Sequence, residues 1–137
     1  MRRTLAAQSG QLSVLVLGLA MLLFAVAGVA VDGTRAFLLR RSLQNAADGS
    51  ALAGAGEVDV HAYYRTAGRE VILEPLAARR AALEWLARRS LPAEAAVAAD
   101  TGGLRVRLAG RMDTSFLALI GLRSIEVAAE AEAEPVD

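Results

Sequence analysis

One uninterrupted apolar run constrains the N-terminal third of the chain. Residues 12–31, LSVLVLGLAMLLFAVAGVAV, contain no charged side chain. As an α-helix rising about 1.5 Å per residue, the run would measure about 30 Å, which matches the hydrocarbon core of a bilayer. A helix that is apolar on every side must be enclosed by lipid or by other protein, and the rest of the chain is too short to enclose it. The run therefore predicts a single transmembrane helix.

The same run also fits a cleaved secretory signal. Arg2 and Arg3 would form the basic start of such a signal, and the small residues at 25–27 or 28–30 would form its cleavage site. Secretory signals, however, usually carry an apolar stretch of only about 7–15 residues. Because the run is longer than that, we favour an uncleaved membrane anchor.

Composition and charge exclude several classes of function. The chain has 15 basic and 15 acidic residues and no net charge, so electrostatics gives no reason to expect nucleic-acid binding. It has no cysteine, which excludes disulfides and thiolate metal sites. Arginines flank the apolar run on both sides, so charge alone leaves the orientation in the membrane open.

The helical pattern continues beyond the apolar run. From Phe37 onward, apolar residues recur at spacings of three and four, with charged and amide side chains between them. This spacing predicts one helix from near Leu12 to about Ala53, and Gly54 with Gly56 forms the signal that ends it. We divide the chain into a polar N-terminal segment, a transmembrane helix, a helical stalk and a small domain, at residues 1–11, 12–31, 32–56 and 57–137.

The stalk is rich in small residues whose purpose the sequence leaves open. They allow close packing against a partner helix, but alanine is also simply a good helix former. The residues are Ala46, Ala47, Gly49, Ser50, Ala51, Ala53, Gly54 and Ala55. At the start of the stalk, Asp32 is expected at the membrane surface without need of a partner. Arg40 and Arg41 are expected to mark a solvated rim.

Beyond the stalk, the pattern indicates helices joined by loops. Residues 57–75 are interpreted as a loop with one short extended piece. A second helix is predicted from Pro75, because proline suits the first helical turn. A short helix at residues 115–120 would be capped by Asp113 or Thr114.

Alternating apolar and charged residues predict an antiparallel sheet. The predicted strands cover residues 95–100, 104–108 and 124–134. If the last two are neighbours, Arg105 and Arg107 would face the glutamates of the last strand. The predicted fold class is α+β: a long N-terminal helix followed by a small domain in which one helix packs on an antiparallel sheet of about three strands.

Three groups of residues match fragments of catalytic or metal sites. Asp100-Thr101-Gly102 matches the aspartic-protease triplet, but that chemistry needs two carboxylates, so we interpret the triplet as a hairpin turn. His61 lacks the further ligands that a metal site needs. The glutamates of the last strand lie too far apart to gather around a cation. No nucleophilic serine or phosphate-loop spacing occurs, and the sequence predicts neither an enzyme nor a cofactor.

The stalk and the residues around the apolar run resemble the N-terminal signature of the TadE/TadG-like proteins of tight-adherence (Flp) pilus assembly. The resemblance covers about residues 10–56, and Leu-Gln-Asn-Ala-Ala-Asp followed by Ala-Leu-Ala-Gly-Ala carries most of it. The matching positions are Asp32, Arg35, Arg41, Leu43, Gln44, Asn45, Ala46, Ala47, Asp48, Ala51, Leu52, Ala53, Gly54 and Ala55. Gly49-Ser50 stands where the family commonly has Ala-Ala. Five residues after Gly10 the chain has Leu15, not the glutamate of a prepilin-peptidase site.

The resemblance implies a structural role. It implies a non-enzymatic, membrane-anchored minor pilin-like or accessory subunit of a pilus assembly or secretion apparatus. The protein would cross the bacterial cell membrane once, with a cytoplasmic N-terminus and an extracytoplasmic domain. Its partners would be the lipid bilayer and other pilus-assembly subunits, contacted through the N-terminal helix, with no nucleic acid or small-molecule substrate. The alternative is a secreted or anchored extracytoplasmic binding module unrelated to pili.

Overall fold

A single continuous helix, α1, begins the computed structural model, which describes residues 4–135 and the side chains from residue 10 onward. It spans Thr4–Ala55 without a break where the apolar run ends, which confirms the predicted continuity. The helix begins at Thr4, earlier than predicted, and ends at Ala55, between Gly54 and Gly56, the two residues predicted to end it. Among the described residues, α1 is the one helix long and apolar enough to cross a membrane.

Two further helices, a 3₁₀ helix and three strands follow α1. They are α2 (Val60–Arg65), α3 (Pro75–Ala87), β1 (Ala93–Ala99), β2 (Leu104–Asp113), the 3₁₀ helix (Leu117–Ile120) and β3 (Ser124–Ala133). The predicted fold class, a long N-terminal helix followed by a small α+β domain with an antiparallel sheet, is confirmed.

The chain folds as two compact units, both of which include part of α1. The first unit contains Met1–Arg35 and Asp113–Ser124. The second unit contains Ala36–Met112 and Ile125–Asp137. The apolar run therefore lies in the first unit, and most of the sheet lies in the second.

The interpretation of residues 57–75 as a loop was partly wrong, since α2 lies within it. Asp59 caps this helix by accepting a hydrogen bond from the Ala62 N–H at 2.9 Å. A six-residue helix has too few turns to show an apolar stripe, which is why periodicity missed it. The predicted extended piece is present as a single bridge between Val58 and the buried Leu73.

The sheet has the order β1-β2-β3, so β2 is central. β1 pairs with β2 in antiparallel register from Ala93 opposite Gly110 to Ala99 opposite Leu104. β2 runs further than predicted, because the alternation of buried and exposed residues continues past residue 108. β2 and β3 are neighbours, as the predicted pairing of their charges requires.

The core of the second unit is built from small and branched side chains. Leu43 and Ala47 of α1 are buried against Ala78 and Ala82 of α3 and against the inward face of the sheet. That face carries Leu104, Val106, Leu108, Val127, Ala129 and Ala131. Both strands bury every second residue, as the alternating pattern predicted.

Candidate functional site

The part of α1 that carries the family signature divides into a buried and an exposed face. The buried signature residues pack into the core of the second unit, and they are Leu43, Ala46, Ala47, Ala51, Gly54 and Ala55. Small side chains are required here because the neighbours approach closely. A Cβ on Gly54 would lie 2.7 Å from Leu104 Cδ2 and 2.8 Å from the Ala78 carbonyl oxygen.

Of the two residues that depart from the usual family pattern, Ser50 belongs to this buried face and Gly49 is half-buried beside it. Ser50 is fully buried, and its hydroxyl donates to the Ala47 carbonyl at 3.0 Å. A Cβ on Gly49 would overlap the Trp85 ring. The chain's own domain therefore covers the small residues of the stalk, and this answers the question that the sequence left open about them.

Gln44 ties α1 to the sheet. Its amide nitrogen donates to Asp48 Oδ1 and to the Glu130 carbonyl oxygen, both at 2.9 Å. Since Glu130 lies on β3, this signature residue links the stalk to the last strand. Its position one turn before Asp48 allows a single amide to serve both acceptors.

Four of the other signature residues form an exposed face on α1. Arg41, Asn45, Asp48 and Leu52 are all exposed, with Leu52 at 67%. Their spacings of four, three and four residues place them on one side of a helix. We call these four residues the exposed stalk face. It lies opposite the residues that α1 buries in the core.

Asp32, at the end of the apolar run, binds a remote stretch of backbone. Its side chain has no solvent exposure. Oδ1 accepts from the Ser115 N–H at 3.0 Å, and Oδ2 accepts from the N–H groups of Phe116 and Leu117, both at 2.8 Å. The expectation that Asp32 needs no partner was wrong, because its partners lie more than eighty residues away and leave no local signal.

The environment of Asp32 favours its ionised form. Hydrogen bonds from the backbone of Leu117 and Ser115 lower its pKa, and they outweigh the opposing effect of burial. The Phe116 N–H and the charge of Arg35 lower the pKa further. Arg35 Nη1 lies 3.8 Å from Asp32 Oδ1 and donates to the Ser115 hydroxyl at 2.9 Å.

Asp32 takes the capping role that the sequence assigned to Asp113 or Thr114. No side chain next to the 3₁₀ helix caps it. Thr114 instead closes the segment at its base, since its hydroxyl donates to the Leu122 carbonyl and its N–H donates to the Arg123 carbonyl at 3.0 Å. Gly121 turns the chain in a left-handed conformation with φ 95°. We call residues 114–122 the apolar loop.

The charged face of the sheet forms ion pairs across β2 and β3. Arg105 pairs with Glu132 and with Glu130, as predicted. Arg107 does not pair with a glutamate in the described part of the chain, and Arg111 pairs with Glu126 instead. These side chains are solvent-exposed, so each pair adds little to stability.

The fragments that matched catalytic or metal sites lie apart from these features. Asp100 closes the β1–β2 hairpin, where its Oδ1 accepts from the N–H groups of Gly102 at 2.8 Å and Gly103 at 2.9 Å. The turn interpretation of the Asp-Thr-Gly triplet is therefore confirmed. His61 is exposed on α2. Within residues 4–135, no three histidine or acidic side chains are arranged to hold a metal ion.

A comparison with known families agrees with the signature on α1. Residues 10–57 match the family model described as putative Flp pilus-assembly TadE/G-like, which confirms the resemblance seen in the sequence. The matched segment ends close to the end of α1 and includes Asp32, the buried face and the exposed stalk face. No curated protein and no solved structure matches the chain.

Proposed function

We propose that this chain, whose N-terminal third matches the TadE/G-like family of Flp pilus assembly, is a non-enzymatic, membrane-anchored accessory or minor pilin-like subunit of a tight-adherence pilus apparatus. Residues 12–31 would span the bacterial cell membrane once. The N-terminus would lie in the cytoplasm and residues 57–137 outside it. The observation that carries the proposal is the family match over a segment that is one continuous helix, apolar in its first half and packed into a domain in its second.

The exposed stalk face is the proposed contact with other pilus-assembly subunits. The buried half of the signature is explained by the fold of the chain itself, but the exposed half is not. Leu52 leaves a large apolar side chain in solvent, and Phe37, at 63% exposure, lies on the same side of α1. A partner helix laid along this face would cover both side chains.

The test is site-specific crosslinking in a bacterium that assembles Flp pili. Asn45→Cys would carry a thiol-reactive crosslinker, and the chain itself contains no cysteine that would compete. We expect adducts with pilus-assembly subunits, identified by mass spectrometry. Ala96→Cys, at an exposed position on β1, is the matched control and should give none.

Two outcomes would overturn the proposal. One is that Asn45→Cys yields no adduct with a pilus-assembly subunit while the protein is present in the membrane. The other is recovery of the chain from the medium with its apolar run removed, which would favour the secreted binding module. Intact mass of the membrane-bound protein and protease digestion of spheroplasts would measure processing and orientation in the same cells.

A further inference from the structure

The apolar loop exposes a cluster of large hydrophobic side chains. Leu119, Ile120 and Leu122 are 83%, 73% and 55% exposed, and no residue from 114 to 122 is charged. The loop is bracketed by Asp113 on one side and Arg123 on the other. An exposed apolar cluster with a charged border is typical of a surface that something else covers.

The loop is packed against the apolar run itself. A Cβ added to Gly28 would lie 2.6 Å from Cβ of Phe116, so that ring rests directly on the backbone of α1. Gly28 precedes Asp32 by four residues, which corresponds to about 6 Å along a helix axis. The loop therefore lies beside the last turn of the segment proposed to cross the membrane.

Most backbone N–H groups of the loop are already bonded within the protein, which favours its transfer into lipid. Seven of the nine N–H groups in residues 114–122 donate to oxygen atoms of the first unit, three of them to Asp32. In hydrocarbon no water replaces a missing partner, so irregular backbone is tolerated there only when its polar groups are bonded within the protein. Because these N–H groups already have partners, the loop loses few hydrogen bonds when it moves from water into lipid.

We propose that the apolar loop inserts into the bilayer surface beside α1 and gives the protein a second membrane contact. This inference rests on the proposed function, because it requires α1 to be the membrane anchor. Acyl lipid is the occupant we commit to, since Phe116 packs on a part of α1 that itself faces lipid, and the exposed leucine and isoleucine side chains continue that surface. Because the loop lies beside the last helical turn of residues 12–31, it would enter the bilayer by about that turn. This depth agrees with the roughly 5–10 Å of interfacial segments.

The test uses the full chain in vesicles made of equal parts of dioleoylphosphatidylcholine and dioleoylphosphatidylglycerol. Single cysteines are placed at Leu119, at Val16 in the apolar run and at Tyr64, and each is labelled with an environment-sensitive NBD fluorophore. Tyr64 lies on α2 and is 77% exposed, so it matches Leu119 in accessibility. Doxyl-labelled lipids then measure the depth of each fluorophore.

We expect shallow doxyl quenching at Leu119→Cys at least about twofold stronger than at Tyr64→Cys, and deep quenching at Val16→Cys. If the fluorophore at Val16 is quenched but the one at Leu119 is quenched no more than the one at Tyr64, loop insertion is overturned. The proposal that α1 is the membrane anchor is then unaffected. Neither Val16 nor Leu119 quenched would overturn both. A high NBD fluorescence at Leu119→Cys that falls when the protein is diluted in lipid would mean that a second copy of the chain, not lipid, covers the loop. This result would also overturn lipid insertion.

Discussion

Asp32 is a carboxylate that is fully buried from water. An ionised carboxylate is costly to bury unless hydrogen-bond donors replace its solvation. Three consecutive N–H groups, from Ser115 to Leu117, provide that replacement. The same bonds satisfy backbone donors at the start of the 3₁₀ helix, which would otherwise lack partners. Asp32 thus holds the start of the apolar loop against α1, together with Arg35 and the packing of Phe116 on Gly28.

Substitution of Asp32 by asparagine should release the apolar loop. Asparagine keeps one acceptor oxygen, but it loses the charge and places an N–H₂ group opposite backbone donors. We expect amide hydrogen exchange at residues 115–117 to accelerate on the order of tenfold, measured by mass spectrometry on the reconstituted protein. Asp113→Asn, at an exposed position in the same unit, is the control and should leave exchange unchanged. Equal exchange in both variants would show that the cap does not hold the loop.

The Asp32 contacts should also weaken in acid. Its pKa is lowered from the ordinary value of 3.8, chiefly by hydrogen bonds from the Leu117 and Ser115 backbone and further by Arg35. A folded pKa below the unfolded value means that the carboxylate stabilises the loop fully above about pH 3.8. The stabilisation is then lost as the pH falls through the lower folded pKa. Protection factors at residues 115–117 should therefore fall in acid in the wild type. If they fell equally in Asp32→Asn, another group would be responsible.

Sequence alone identified Asp32 as a signature residue but not its role. Its three donors are separated from it by more than eighty residues, and no spacing rule links an aspartate to backbone that far along the chain. The informative signals were its position at the end of the apolar run and the absence of charge in residues 114–122. Neither signal, alone or with the other, indicates a contact between the two segments, and only the fold shows it.

At the scale of elements, regular patterns were predicted and short or irregular elements were not. The β2 and β3 strands follow from strict alternation, because only one face of this sheet is buried. Helix α3 follows from Pro75 and its apolar stripe. Helix α2 escaped because a six-residue helix depends on the Asp59 cap rather than on periodicity. The packing of α1 on its own domain was not predicted, since small residues suit many partners equally well.

Gly54 tests this packing directly. Gly54→Ala should destabilise the second unit by about 1–3 kcal/mol, because the added methyl group meets the Ala78 backbone, which cannot move aside as a side chain would. Urea unfolding followed by fluorescence of Trp85, the only tryptophan, measures the change. Gly33→Ala is the matched control on the same helix, because a Cβ there meets nothing within 4 Å. It should be neutral or stabilising by up to about 1 kcal/mol, so equal losses in both variants would refute close packing at residue 54.

For the whole molecule, the stalk part of α1 has two opposite faces, one packed into the chain's own domain and one exposed to solvent. One face of the stalk is used by the fold of the chain, through Leu43, Ala47 and Gln44. The other face lies in solvent and contributes to that fold only through the hydrogen bond that Asp48 accepts from Gln44, although the family match covers it equally. Substitutions on the two faces can therefore separate an effect on folding from an effect on the proposed partner contact.

Leu52→Arg should separate assembly from folding. Leu52 is 67% exposed, so the longer charged side chain fits without disturbing the core, and the midpoint of unfolding followed by Trp85 should stay as in the wild type. An apolar contact with a partner helix would instead bury an unpaired charge, and we expect recovery of the protein with pilus-assembly subunits to fall on the order of tenfold. Leu76→Arg, at a similarly exposed position on α3, should be recovered like the wild type. If Leu52→Arg folds and is recovered normally as well, the exposed stalk face is not the assembly surface, and the partner must be sought on another part of the chain.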